Sequence, residues 1–208
     1  MHISEGALSA PVLAAGAVLT VAGTAVGLRG LDAEKMPRVG VMAATFFVAS
    51  LVHVPIGPSS EHLILNGLAG LVLGWAVFPA LLVALFLQAV LFQFGGLTTL
   101  GVNTFTMAFP GLLCWLLFGR LVNRGPAVSA AAAFGTGALA VLLSGVLVAV
   151  ALFLTGKAFT GAAATIVVAH VPVMVAEGVL CVLCVSFLKK VKPGMLPGLR
   201  TQEVSDDA

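Results

Sequence analysis

The chain has 208 residues, of which 60% are hydrophobic and 9% charged, and its mean hydropathy of +1.16 excludes an ordinary soluble domain. The formal net charge is only +2, and the basic residues lie in short segments between apolar runs, so nothing indicates nucleic acid as a partner. With 24 Gly, no Tyr and two Trp, the composition favours closely packed helices over an aromatic-girdled barrel. We therefore predict an all-α, polytopic membrane protein embedded in the lipid bilayer.

The chain begins Met1-His2-Ile3-Ser4-Glu5-Gly6, and its first two residues can chelate a metal ion. The Met1 amine, the backbone amide of His2 and Nδ1 of the same imidazole close two adjoining chelate rings and lie in one plane. A d⁸ ion such as Ni²⁺ accepts such nitrogens, whereas Mg²⁺ and Ca²⁺ take oxygens. We expect Met1 to remain the true terminus, because no cleavable signal peptide is visible. The alternative is an ordinary frayed terminus.

Seven apolar runs predict seven transmembrane helices. They fall at about Ala7–Leu28, Val39–Ile56, Leu63–Val77, Pro79–Phe94, Leu97–Gly119, Val128–Thr155 and Ala162–Leu188. If the third and fourth runs were joined, they would form a helix of 32 residues, about 48 Å long, against a hydrocarbon core of roughly 30 Å. We therefore predict a break between Gly74 and Pro79.

The basic residues set the expected orientation. With seven spans, nine of the ten Lys and Arg residues fall on one side of the membrane and only Lys157 on the other. The positive-inside rule then places the carboxyl terminus in the cytoplasm and Met1 outside, in a multi-pass protein of the plasma (inner) membrane. We expect residues 1–188 to form one transmembrane helical domain and residues 189–208 a short polar cytoplasmic tail.

Two loops are expected on the outer side, together with Met1. The first is Pro55-Ile56-Gly57-Pro58-Ser59-Ser60-Glu61-His62, whose Pro, Gly and Ser residues argue against regular structure. His62 ends this loop, and it is the candidate for the fourth nitrogen ligand. The second loop covers residues 95–103. The three outer elements are therefore expected to converge on one site.

Other polar residues could support such a site from around the ligands. The candidates are His53, Ser59, Ser60, Glu61, Asn66 and Asn103, although each could instead be an ordinary cap or turn residue. His170 and Glu177 lie seven residues apart in the last span, so they share one helix face. Ionisable groups within a membrane usually face the bundle interior, and an internal hydrogen-bonding role is favoured over a proton relay.

The motifs MHISEG at the terminus, PIGPSSEHLILNGLAG at Pro55–Gly70 and FQFGGLTTLGVNT at Phe92–Thr104 resemble those of the CbiM/NikM family. Its members are the substrate-capture (S) subunits of energy-coupling-factor (ECF) ABC transporters for cobalt and nickel. The resemblance implies an amino terminus inside the substrate pocket, with ligands from the Met1 amine, the His2 amide and ring nitrogens, and His62. It also implies a coupling transmembrane subunit, cytoplasmic ATPase subunits and a small accessory membrane protein as partners.

These features predict a membrane permease subunit that captures Ni²⁺ or Co²⁺, its transported substrate, from the outer side for ATP-driven uptake. We expect no enzymatic activity and no other cofactor. The chain lacks a G-x-x-x-x-G-K loop, so partners must supply the energy. One alternative is an intramembrane zinc metalloenzyme or peptidase using His53, His62, His170 and Glu177. Another is a stand-alone proton-coupled metal transporter. The choice between Ni²⁺ and Co²⁺ stays open.

Overall fold

The computed structural model describes residues 2–56, 59–156 and 170–197, and the side chains of residues 53–61 lie outside this description. The main elements are α1 (Ala10–Arg29), α2 (Met36–Ala49), β1 (His53–Ile56), β2 (Ser59–His62), α3 (Asn66–Leu73), α4 (Val77–Phe92), α5 (Leu100–Phe118), α6 (Pro126–Thr155) and α7 (Val171–Val191). One-turn 3₁₀ helices cover Gly74–Ala76, Leu121–Asn123 and Pro193–Met195.

The helices are apolar and long, as the composition predicts. Five helical stretches within the described residues are long and apolar enough to cross a membrane, with residues 66–92 counted as one stretch. Helix α2 is apolar but shorter. The last predicted span begins at Ala162, and the helix that the structure describes within it is α7. The prediction of a helical membrane protein is thus supported, whereas the seven crossings and the orientation of the termini stay predictions.

The predicted break between the third and fourth spans occurs at Gly74. This residue has a φ of +55°, and helix α3 ends just before it. Two glycines, one in α3 and one just after it, contact successive turns of α5: a Cβ on Gly70 would lie 2.1 Å from the Gly111 carbonyl oxygen, and one on Gly74 would lie 3.2 Å from the Trp115 ring. Helices α3 and α5 therefore run in the same direction. Helix α4 runs back, because Gln88 near its end contacts the amino-terminal segment.

Small residues let α1 pack closely against α4 and α5. Its buried residues are Gly16, Thr20, Gly23 and Gly27. A Cβ on Gly16 would lie 2.4 Å from Val102, and one on Gly23 would lie 2.5 Å from the Phe78 ring. The Thr20 hydroxyl donates a 2.6 Å hydrogen bond to the Gly101 carbonyl. The small-residue row through Gly16 and Thr20 therefore faces a neighbour in the same chain.

Basic residues collect at the end of the bundle opposite the amino-terminal segment. Arg38, at the start of α2, donates to the Gly194 carbonyl over 3.2 Å. Lys189, at the end of α7, donates to the Val122 carbonyl over 2.9 Å and to the Ser129 hydroxyl over 3.0 Å. This end of the described bundle is thus cationic.

The prediction of no regular structure in residues 55–62 is wrong for the backbone that the structure describes. Strands β1 and β2 pair in antiparallel register, with His53 opposite His62 and Ile56 opposite Ser59. The Leu63 N–H continues the pairing to the Val52 carbonyl over 3.0 Å. Pairing occurs because a segment folded back against a bundle must satisfy its own N–H and C=O groups. Among the described residues, the regular secondary structure is therefore helical except for this hairpin, which carries His62.

Candidate metal centre

The amino-terminal segment docks onto the start of α5 through its backbone. The Ile3 N–H donates to Asn103 Oδ1 over 2.9 Å, and Asn103 Nδ2 donates to the Ile3 carbonyl over 3.1 Å. The Glu5 N–H donates to the Gly95 carbonyl over 3.2 Å. A segment without secondary structure needs such partners for its buried peptide groups. One amide side chain thus fixes the residue that follows His2.

Two glycines allow the loop before α5 to approach this segment. Gly95 has a φ of +77°, and a Cβ there would lie 2.7 Å from Asn103 Nδ2. Gly96 has a φ of +143°, and its Cβ would fall 1.9 Å from Cγ of Glu5. The Glu5 carboxylate accepts a 3.2 Å hydrogen bond from the Thr98 N–H. Glu5 therefore holds the segment against the loop.

The docked segment brings His2 against His62. Nδ1 of His2 and Nε2 of His62 lie 3.0 Å apart, and the two ring centroids lie 4.8 Å apart. Metal–imidazole bonds of about 2.0 Å would place nitrogens at adjacent corners of a square plane about 2.8 Å apart. The observed separation is thus close to that of two ligands of one ion. Met1, the predicted donor of the amine, lies outside the described residues.

Hydrogen bonds on the far side of each ring determine where the protons lie. Nδ1 of His62 is 2.9 Å from the Leu63 carbonyl oxygen, which can only accept, so this nitrogen carries the proton. Nε2 of His2 is 2.8 Å from Gln88 Oε1 and donates in the same way. The two facing nitrogens therefore both carry lone pairs. Metal-bound histidines usually have this arrangement, with the second ring nitrogen donating outward.

Burial keeps His2 neutral. The pKa of the His2 imidazole is lowered from 6.5 to about 4, chiefly by burial, while the hydrogen bond to Gln88 opposes the shift. A neutral imidazole is the form that ligates metals. Near neutral pH, His2 is therefore available as a nitrogen ligand without first losing a proton from its ring.

Gln88 is the functional candidate that the sequence analysis missed. Its side chain is fully buried, and its Nε2 has no hydrogen-bond partner among the described residues. One signal could have revealed it: Gln88 is the sole polar side chain in α4, whose sequence is VFPALLVALFLQAVLF. A lone amide in an apolar membrane helix is costly unless it has a partner, and here that partner is His2.

The other predicted supporting residues have different outcomes. Asn103 reaches the site, but it binds the backbone of Ile3 rather than an imidazole. Asn66 does not reach it, because its amide donates over 2.9 Å to the Met107 carbonyl and to the Ser144 hydroxyl. The remaining candidates have side chains outside the described residues: His53, Ser59, Ser60 and Glu61.

His170 and Glu177 are both buried. His170 lies at the N-cap of α7. The Glu177 carboxylate accepts from the backbone N–H groups of Ile64 and Leu65. Within the described part of the chain, no group of three or more His, Cys, Asp or Glu side chains gathers as a metal site. Nothing in this part therefore favours a zinc centre built from side chains.

The geometry agrees with what the chain is similar to. A family model described as "CbiM: Cobalt uptake substrate-specific transmembrane region" matches residues 2–195. A Haemophilus influenzae protein named for metal transport is 44% identical over 199 residues, covering 94% of this chain and 97% of that protein. The fused nickel transport protein NikMN of Rhodobacter capsulatus is 37% identical over 134 residues, covering 62% of this chain and 39% of the fusion.

A crystal structure of a transition metal transporter has the same fold, with a TM-score of 0.75 and 27% identity over 92% of this chain and 93% of that one. The family match covers nearly the whole chain, including both histidines of the site. The chain therefore belongs to the CbiM family, and it is a membrane component of cobalt and nickel transport.

Proposed function

We propose that this chain captures Ni²⁺ or Co²⁺, its transported substrate, in a centre of four nitrogens. The ligands are the Met1 amine, the amide nitrogen and Nδ1 of His2, and Nε2 of His62. One observation carries the proposal: the two lone-pair nitrogens of His2 and His62 face each other at 3.0 Å, and each ring donates its proton outward.

A centre of this kind selects by geometry. An ion that accepts a square plane of nitrogens can displace the amide proton of His2, as Ni²⁺ does, whereas Mg²⁺ and Ca²⁺ require oxygen ligands. Three of the four donors come from the first two residues, so the centre forms only when the amino-terminal segment docks. The two hydrogen bonds between Ile3 and Asn103 favour that docked state before the ion arrives.

We further propose that capture occurs from the outer side and that uptake depends on partner subunits. The cationic end containing Arg38 and Lys189 lies opposite the histidines, and cationic ends usually face the cytoplasm. The name of the fused NikMN relative supports a second membrane component as partner. A coupling transmembrane subunit, cytoplasmic ATPase subunits and a small accessory membrane protein complete the proposed assembly.

The test is metal binding by the purified protein, measured by elemental analysis and visible absorption. The wild type should retain Ni²⁺ as a yellow, diamagnetic complex, and His2→Ala and His62→Ala should each abolish retention. Adding four glycines before Met1 should do the same, because the terminal amine is then too far from His2 to share a chelate with it. The matched control is the same addition after Ala208. Full binding by the amino-terminally extended protein would refute the proposal.

The same preparation separates the alternatives. Bound zinc with hydrolytic activity, independent of a free Met1, would favour the metalloenzyme. Metal uptake into vesicles driven by a proton gradient, with neither ATP nor partner subunits, would favour a stand-alone transporter. The proposed function instead requires both ATP and partners for uptake, but neither for binding.

A further inference from the structure

A buried carboxylate lies directly behind the hairpin that carries His62. Glu177 projects from the second turn of α7 and is fully buried. Its Oε1 accepts from the Ile64 N–H, and its two oxygens lie 2.9 and 3.0 Å from the Leu65 nitrogen. Two successive backbone N–H groups from the chain just after His62 thus converge on one carboxylate.

The same peptide group also contacts His62 itself. The Leu63 carbonyl oxygen accepts the Nδ1 proton of His62 over 2.9 Å, and the nitrogen of that peptide bond belongs to Ile64, which donates to Glu177. One hydrogen-bonded chain therefore runs from the carboxylate, through the Leu63–Ile64 peptide, to the imidazole. The ring nitrogen at the far end of this chain faces His2.

The backbone after this peptide is held in an unfavourable conformation. Leu65 has a φ of 52°, in the left-handed region that residues with a side chain rarely adopt. Such conformations persist where the surroundings impose them, often at functional sites. Here the Leu65 N–H points to both carboxylate oxygens of Glu177. The carboxylate thus fixes the direction of the chain that leads out of the hairpin.

Hydrogen bonds in series polarise one another in a poorly solvated interior. A carboxylate that accepts the peptide N–H makes the carbonyl of the same peptide a stronger acceptor. The carbonyl in turn draws on the Nδ1 proton of His62, which makes Nε2 a better electron donor. Many metal sites place a carboxylate directly against a ligating histidine with this effect. Here a peptide group lies between the two.

We propose that Glu177 is a positioning residue that strengthens His62 as a metal ligand through the Leu63–Ile64 peptide. The proposal rests on the proposed function, because it requires His62 to bind the ion. It gives Glu177 an electronic role as well as the structural role of holding the hairpin against α7.

The test compares Glu177→Gln with Ser144→Ala in Ni²⁺ titrations of the full-length protein. Glutamine keeps the shape of the side chain but removes its charge. Loss of this outer support should weaken Ni²⁺ binding by about 10- to 100-fold. The visible band should also move to longer wavelength, since a weaker nitrogen donor reduces the ligand-field splitting. Ser144→Ala is the matched control, because it removes a hydrogen bond from Asn66, at the start of α3. It leaves the hydrogen-bonded chain from Glu177 to His62 intact.

Wild-type affinity and an unchanged band in Glu177→Gln would overturn the proposal, as would an equal loss in Ser144→Ala. If Glu177→Gln does not fold, the wild type itself provides a test by ¹⁵N-edited NMR of the diamagnetic Ni²⁺ complex. When Ni²⁺ binds, the Nδ1 proton of His62 and the Ile64 N–H proton should both shift downfield, because they belong to one hydrogen-bonded chain. A shift of the His62 proton alone would overturn the proposal. Failure of the proposed function is distinguishable, because His62→Ala would then bind Ni²⁺ normally.

Discussion

Replacing Gln88 with leucine should weaken metal binding through the position of a proton. In the wild type, Gln88 Oε1 accepts from Nε2 of His2, so Nδ1 is free to ligate. In Gln88→Leu, the metal-free His2 can move its proton to Nδ1 and donate to Nε2 of His62, which is 3.0 Å away. The metal-free protein therefore avoids most of the free-energy cost of losing the Gln88 acceptor. The metal-bound protein cannot avoid this cost, because the metal ion occupies Nδ1. The ring proton must then stay on Nε2, where leucine offers no acceptor.

The cost in the metal-bound state is that of a buried N–H without an acceptor. An unmade hydrogen bond of this kind costs about 1–3 kcal/mol, which corresponds to roughly 5- to 150-fold in affinity. The affinity should be measured by competition with a chelator of known Ni²⁺ affinity, at fixed pH and in one detergent. We expect Gln88→Leu to lie within this range below the wild type.

Gln88→Glu is the matched control for this change. A glutamate keeps the acceptor for Nε2 of His2, and it brings negative charge towards the cation, so its affinity should be at least that of the wild type. Equal losses in Gln88→Leu and Gln88→Glu would show that shape or packing matters rather than the proton. Wild-type affinity in Gln88→Leu would refute the assigned tautomer of His2.

Three further changes act on the docking of the amino-terminal segment. Asn103→Ala removes both hydrogen bonds to Ile3, worth about 1 kcal/mol each, so Ni²⁺ affinity in a chelator competition should fall by up to roughly 30-fold. Gly95→Ala places a methyl group 2.7 Å from Asn103 Nδ2 at a φ of +77°, so its Ni²⁺ affinity should fall as far as that of Asn103→Ala. The control is Gly125→Ala, whose methyl group meets no atom within 4 Å and whose affinity should match the wild type. Acidification should undock the segment, because the folded-state pKa of His2, about 4, lies below its ordinary value of 6.5. The undocked state therefore binds the proton more readily, and docking weakens as pH falls from about 6.5 through 4. Hydrogen exchange of the Ile3 N–H in the metal-free protein measures this loss of docking. An Ile3 protection factor at pH 4 equal to that at neutral pH would contradict the prediction.

The features predicted well from the sequence are those that local chemistry determines. Hydropathy reports which segments can be buried in lipid, so every described helix lies largely within a predicted run. The break at Gly74 followed from the length of a helix against the thickness of a bilayer. The contact between His2 and His62 was expected from ligand chemistry and from the charge pattern, while their shared role as metal ligands stays a prediction. The structure brings these two nitrogens within 3.0 Å.

The features that the sequence did not reveal depend on contacts between distant elements. Gln88 lies 86 residues from His2, and only the reversal of direction between α3 and α4 brings them together. Asn66 is close to His62 in sequence, yet its side chain points to α5 and α6, because the chain turns sharply at Leu65. The hairpin that carries His62 was missed because Pro and Gly, which argue against long strands, still permit two short paired ones.

The two histidines face each other in an arrangement that suits a shared cation. Their facing nitrogens both carry lone pairs, since Leu63 and Gln88 take the ring protons on the far sides. A proton between them could relieve the repulsion, but burial holds the pKa of His2 near 4, so the proton is a poor competitor at neutral pH. In the proposed centre, a divalent ion would satisfy both lone pairs at once. The hydrogen bonds around the site thus favour a metal ion over a proton before any ion has bound.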